Sequence, residues 1–237
     1  MDQTEQKHKR RVRYSGTHPK SFQEKYKELQ PEKYEETLSK VIQKGNTPAG
    51  MHRPICVNEI MDVLMIKPGE IGLDATLGYG GHSMVMLSRL ENNGHLYCID
   101  ADPIELPKTK ERLEKMGYGP DILSVQNINF SQIDQILKDD EKFDFVLADL
   151  GVSSMQIDNP ERGFSFKQDG PLDLRMNPLV GLTAAQRLRS MKEDEIVGML
   201  SENADEPHAD IIARGIVQEL RKGQKIETTK QLQKVIA

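Results

Sequence analysis

Cysteine is nearly absent from this chain: its 237 residues hold two, Cys56 and Cys98, both in apolar stretches. That excludes a disulfide framework and the paired spacing of a thiolate metal site, so reduced cytosolic thiols and no metal are the expectation. No apolar run reaches the ~18 residues that a membrane-spanning helix needs. The N-terminal MDQTEQKHKRRVRYSG is basic but has no apolar stretch behind it, so it lacks the pattern of a secretory signal. A cytoplasmic protein with no membrane partner is expected. Internal repeats and low-complexity tracts are missing as well. So is a positive overall balance: the net charge of −5 argues against bulk attraction to nucleic acid while leaving room for a local basic patch. Residues 7–13, KHKRRVR, hold five Lys or Arg in seven positions. Two readings stay open for them, an arm that neutralises RNA phosphates and an ordinary solvated tail.

What the chain does have is 37 % hydrophobic and 29 % charged residues, the profile of a soluble globular protein. Its length suits one large domain, or one domain with an inserted subdomain. Residues 1–50 read as an appended segment. Within it PEKYEETLSKVIQKG predicts an amphipathic helix, begun by Pro31, stopped at Gly45 and striped by Tyr34, Leu38, Val41 and Ile42. Residues 51–154 alternate strand and helix patterns: EIGLDATL, HLYCID, DILSVQ and FDFVLADLG as strands, GHSMVMLSRL, PIELPKTKERLEKM and SQIDQILKD as helices, the second interrupted by Pro107. Alternation of this kind predicts an α/β, doubly wound parallel sheet. Residues 155–237 begin with loop chemistry and return to helical periodicity. Ser190 with Glu193 reads as a capping box, and ADIIARGIVQEL as a helix ending near Gly223.

The segment LDATLGYGG, residues 73–81, is a glycine-rich turn between a first strand and a helix, which lets backbone approach a nucleotide closely. Such turns serve dinucleotides and S-adenosylmethionine alike. Three details favour the latter: the spacing Gly78-x-Gly80-Gly81, the acidic Asp74 four positions before the first glycine, and Asp100 at the end of the second strand. A carboxylate at that place can accept hydrogen bonds from ribose hydroxyls. The other reading is a tight turn with Asp100 as a helix cap. The fourth strand ends in ADLGVSS. In a doubly wound sheet Asp149 would face the reacting end of the ligand, where a polar acceptor can take the proton of an amine as a methyl group is transferred. A plain turn residue is the alternative for Asp149.

From residue 52 onward the chain resembles the bacterial MraW/RsmH-type 16S ribosomal RNA cytosine-N4 methyltransferases. The resemblance is carried by HRPICVNEIMDVL, DATLGYGGHS, CIDADP, NFSQID and DLGVSSMQIDNPERGFSFKQDGPLDLRMNP, with TAAQRL, ADIIARGIV and TTKQLQKVI following in the family's order. It implies a Rossmann-like class I methyltransferase sheet with an inserted, mostly helical subdomain, S-adenosylmethionine as cofactor, and ribosomal RNA or the small ribosomal subunit as partner; a homodimer is a further expectation. It implies Gly80, Gly81, His82, Asp100, Phe130, Asp149 and Gln156 as cofactor-binding positions, with Asp149 catalytic. Ser153, Ser154, Arg162, Phe164, Phe166, Asp173 and Arg175 would face the substrate, the loop forming a wall for a flipped-out cytosine. For the two Phe a packing role stays open, and for Asp173 and Arg175 a structural pair.

Three departures from the family pattern keep other functions in view. Residues 1–51 have no counterpart in it. Its Gly-Glu-Glu reads Ala204, Asp205, Glu206 here, followed by Pro207. The family also runs on past TTKQLQKVI into strands that complete the sheet, where four strands are countable in this chain and about seven make up the fold. The alternatives are therefore methylation of another RNA, such as transfer RNA, and a non-catalytic RNA-binding or ribosome-assembly role.

Overall fold

A computed structural model describes residues 54–137 and 142–237. The expected helix of residues 31–45 and the basic run 7–13 lie outside the described residues. Four parallel strands, β1 (Ile71–Asp74), β2 (His95–Ile99), β3 (Leu123–Gln126) and β4 (Phe145–Leu147), lie in the order β3-β2-β1-β4. Asp74 registers with Cys98 on one side and Leu147 on the other, and Ile99 with Gln126. The loops after all four strands therefore leave from one edge.

The two-residue period of a strand divides the core between two faces. Leu96, Cys98 and Leu123 join Leu77, Met86, Leu87, Leu90 and Leu113 on one face. Leu73 and Ile99 join Ala75 and Ile136 on the other. The first face is covered by α1 (Val57–Leu64), α2 (Gly81–Leu90) and α3 (Leu106–Lys115). The buried positions of α3, Leu106, Thr109 and Leu113, are three and four residues apart, as one helix face requires. Pro107 does not interrupt this helix as expected; it sits in the first turn, where its missing N–H has no intrahelical partner to lose. The expected helix at 131–139 is instead a 3₁₀ segment, Phe130–Gln135, kinked at Gln132 and capped by the Asn129 side chain.

Gly72 on β1 packs closely against β4. A Cβ there would stand 2.0 Å from Cζ of Phe145 on β4, and Phe145 is itself buried. Gly72→Ala should therefore cost about 1–3 kcal/mol through forced repacking, read as a lower urea midpoint at unchanged slope.

Beyond β4 the chain forms α4 (Ser154–Asp158) and a 3₁₀ turn at Pro160–Arg162, then α5 (Ala184–Ser190), α6 (Glu193–Ala204), α7 (Ala209–Arg221) and α8 (Thr229–Ile236). The last four helices share a core of Leu172, Leu188, Ile196, Ala213, Ile216, Val217 and Ile226. Capping boxes Thr183/Gln186 and Thr228/Gln231 start α5 and α8. The expected box at Ser190 and Glu193 does not form. Ser190 ends α5 with its hydroxyl donating to the Arg187 carbonyl at 2.9 Å, and α6 begins after Lys192, whose N–H donates to Glu195 at 2.7 Å. Among the described residues, no helix is long and apolar enough to cross a membrane.

Candidate nucleotide site

The strand order reverses at β1: the chain moves outward through β2 and β3, then returns to β4 on the other side. Loops after β1 and β4 consequently part at this switch point and leave a crevice. Here it is a cleft of about 650 Å³, lined by Thr76, Gly78, Gly81 and His82 after β1, by Asp100, Asp102 and Glu105 after β2, by Phe130 after β3, and by Asp149, Ser153 and Gln156 after β4.

The glycine turn is held from two sides. The Gly78 N–H donates to Asp100 Oδ2 at 2.7 Å, while Thr109 of α3 donates its hydroxyl to the Gly78 carbonyl at 2.7 Å. Arg112 donates to the Tyr79 carbonyl. Gly78 has φ 48°, and a Cβ there would meet protein no nearer than the Thr76 carbonyl oxygen at 3.8 Å. Glycine thus keeps this wall of the cleft open. Gly80 (φ 72°) caps α2 and packs against the Thr109 methyl rather than lining the cleft, whereas Gly81 is the helix's first residue and does line it.

Asp100 is half-buried, and its second oxygen accepts the Asp102 N–H at 2.8 Å. Burial holds its carboxyl above the ordinary range and neighbouring Asp102 adds to that; the backbone N–H donors of Asp102 and Gly78 pull the other way. Asp102 is fully buried and links distant segments. Its Oδ2 accepts both Gln156 Nε2 at 2.8 Å and Arg162 Nη1 at 2.7 Å, and its Oδ1 accepts the Ile104 N–H at 2.9 Å. Asp149 is exposed at the cleft mouth, its backbone N–H donated to Thr76 Oγ1 at 2.8 Å. Thr76 is held in turn by Asp74, whose other oxygen accepts the Ser83 hydroxyl at 2.5 Å. His82 is buried on α2; its Nε2 lies 3.0 Å from the Ile55 carbonyl and its Nδ1 faces Asp149 Oδ2 at 3.8 Å.

Gly81, His82, Asp100, Phe130, Asp149, Ser153 and Gln156 thus meet at the cleft, while Ser154, Arg162, Phe164, Asp173 and Arg175 are not on its wall. Arg162 is 6 % exposed and spends its guanidinium on Asp102 and the Arg175 and Met176 carbonyls. A side chain so engaged cannot reach RNA phosphates, so its expected wall role is corrected to an internal tie. Phe164 lies 5.8 Å from that guanidinium. Asp173 and Arg175 pair at 2.6 Å, the arrangement left open as structural, and Arg175 holds the Asp173 carboxyl below its usual range. Phe166 is exposed. Thr76 and Asp102 were not singled out as site residues. The only signal for them was their place in DATLG and CIDADP, where each follows the strand-end carboxylate by two residues.

A parallel sheet that opens at its switch point onto a glycine turn, with a carboxylate ending β2, defines a Rossmann-like nucleotide-binding domain. The chain belongs to the MraW methylase family, whose model matches residues 49–237. It is 64 % identical over 236 residues to "Ribosomal RNA small subunit methyltransferase H 2" of Alkaliphilus metalliredigens, covering 100 % of this chain and 68 % of that one. It is 60 % identical over 230 residues to "Ribosomal RNA small subunit methyltransferase H 1" of Lachnoclostridium phytofermentans, 97 % and 63 % covered. The corresponding protein of Agathobacter rectalis is 60 % identical over 232 residues, 98 % and 66 % covered. The chain thus spans about two thirds of the length of these relatives.

S-adenosylmethionine is the cofactor of a methylase of this fold, and the residues present fit it. The turn at Gly78 leaves room for close backbone approach. Asp100, a carboxylate acceptor, and the half-exposed aromatic ring of Phe130 line the same cleft.

Proposed function

We propose that this chain transfers the methyl group of S-adenosylmethionine to the N4 amine of a cytosine in small-subunit ribosomal RNA. The observation that carries the reading is Asp149: an exposed carboxylate at the mouth of the cleft, fixed at the end of β4 by Thr76. Gly81, Asp100, Phe130 and Gln156 would hold the cofactor, with Gly80 shaping the turn, and residues 155–237 would form the substrate-side insert. When bound, the cofactor supplies an electrophilic methyl on a sulfonium. Cytosine N4 is a poor nucleophile because its lone pair is delocalised into the ring. An acceptor on its N–H localises that lone pair and takes the proton as the N–C bond forms. Asp149 supplies that acceptor, and the family match with the printed names of the relatives supports the small subunit as substrate.

The direct test is nucleoside mass spectrometry of small-subunit RNA from cells lacking the protein, with loss of N4-methylcytidine as the expected result. If that nucleoside persists and another modified one disappears, the substrate assignment is wrong. For the cofactor, Asp100→Ala should weaken S-adenosylmethionine binding by about 1.5–3 kcal/mol. Calorimetry with S-adenosylmethionine and with NAD checks it; a preference for NAD would overturn the cofactor assignment.

A further inference from the structure

We infer that His82 acts through Asp149 as its proton-holding partner, so that the two side chains accept the amine proton as a pair. The inference rests on the methyl-transfer reading above and deepens it.

The geometry at His82 assigns its proton. Nε2 lies 3.0 Å from the Ile55 carbonyl oxygen, and a carbonyl can only accept, so Nε2 carries the hydrogen. Nδ1 then presents a lone pair, and the group it faces, at 3.8 Å, is Asp149 Oδ2. Two acceptors turned toward each other can share one proton between them. The exposures divide the labour: the Asp149 side chain is 43 % exposed and reaches the cleft mouth, while His82 is 7 % exposed behind it. If His82 served only to contact cofactor, nothing would require its free nitrogen to face the proposed base.

The step balances without any further reactant. The amine lone pair forms the N–C bond, and the S–C bond breaks with its electrons remaining on sulfur. The positively charged nitrogen then gives one proton to the Asp149 carboxylate. A short swing of that exposed side chain, or one bridging water, closes the gap and passes the proton to His82 Nδ1. The imidazolium formed is flanked by the Asp149 carboxylate and the Ile55 carbonyl. The proton leaves to solvent by way of Asp149.

Other groups near the ring suit this role. Asp74, at the end of β1, interacts electrostatically with His82; its carboxyl is raised by burial and countered by its bonds to Ser83 and Thr76. Cys98 on β2 is pushed up by burial, keeping its thiol neutral. The segment leading into α1 brings the Ile55 carbonyl and the exposed Cys56 thiol. Asp100, Asp102 and Glu105 line the same cleft.

His82→Gln is the informative variant, because a glutamine amide can still donate to the Ile55 carbonyl but leaves no base facing Asp149. Calorimetric affinity for S-adenosylmethionine and the KM for small subunits should hold. The single-turnover methylation rate should fall about 100-fold, and its pH profile should change, since the imidazole that shares the proton is gone. Loss of cofactor affinity with an unchanged rate at saturation would make His82 a cofactor contact and overturn the inference. So would a uniform loss of rate with the pH profile unmoved. A readout independent of substrate is nitrogen-15 NMR of histidine-labelled full chain. Asp149→Asn should shift the His82 Nδ1 resonance while Nε2 stays that of a protonated nitrogen; an unchanged Nδ1 resonance overturns the pairing. If wild-type protein leaves small subunits unmethylated, the functional reading has failed, and the NMR comparison decides the pair.

Discussion

Asp149→Ala should reduce methyl transfer to small subunits by about 10²–10⁴-fold, the range for removal of a positioned base. Affinity for S-adenosylmethionine and for the RNA substrate should change little, and so should the urea midpoint. The reason lies in how the residue is attached. Its fold-holding bond is made by the backbone N–H to Thr76 Oγ1, which alanine keeps, while the carboxylate is 43 % exposed and stands 3.8 Å from its buried neighbour His82 Nδ1, beyond direct hydrogen-bonding distance. The assay follows transfer of a labelled methyl group under single-turnover conditions, with binding measured separately. Unimpaired transfer by the variant would remove Asp149 from the chemistry and favour a non-catalytic role. Weakened cofactor binding at unchanged saturated rate would reduce it to a ligand contact.

Arg162→Met should be the most destabilising of the substitutions considered, at about 3–5 kcal/mol. The guanidinium is paired at 2.7 Å with Asp102, and the two side chains are only 7 % and 2 % exposed. Methionine replaces the aliphatic bulk but abandons a buried carboxylate and the carbonyls of Arg175 and Met176. Stranding a buried charge costs far more than the pair itself contributes, so Arg162→Met with Asp102→Asn should be less destabilising than the sum of the two singles. Urea denaturation of the four proteins closes the cycle. Additive losses would mean that the pair is not coupled and that Arg162 acts through packing alone.

How much of this was legible in the sequence follows from the range of the interactions involved. The strands and α2 follow from period and from glycine punctuation, which are local. So does the convergence of Gly81, Asp100 and Asp149, because strand ends in a parallel sheet point one way, whereas His82, Phe130 and Gln156 are implied only by the family resemblance. The errors lie where two local signals compete. Ser190 has a capping residue's chemistry, yet it closes the turn of α5 because Lys192 and Glu195 set the next start. Pro107 reads as a breaker until the first turn is known to begin at Leu106. Arg162 is a different case. An arginine in a polar loop suggests phosphate, and nothing nearby announces that its partner lies 60 positions earlier. The orientation of His82 toward Asp149 was equally unreadable, since it depends on how α2 is set against the end of β4.

The strand order also fixes when the reacting centre comes into being. β1, β2 and β3 pair with neighbours close in sequence, but β4 must return across β1, and the bonds that fix its ends, Ile71 N–H to Asp144 at 2.8 Å and Asp149 N–H to Thr76 at 2.8 Å, each span 73 residues. Closing so long a loop carries an entropic cost that nearer contacts do not. During refolding the glycine turn and Asp100 should therefore assemble before Asp149 arrives. Competence to react, followed over time after dilution from denaturant, should lag behind recovery of helical circular dichroism.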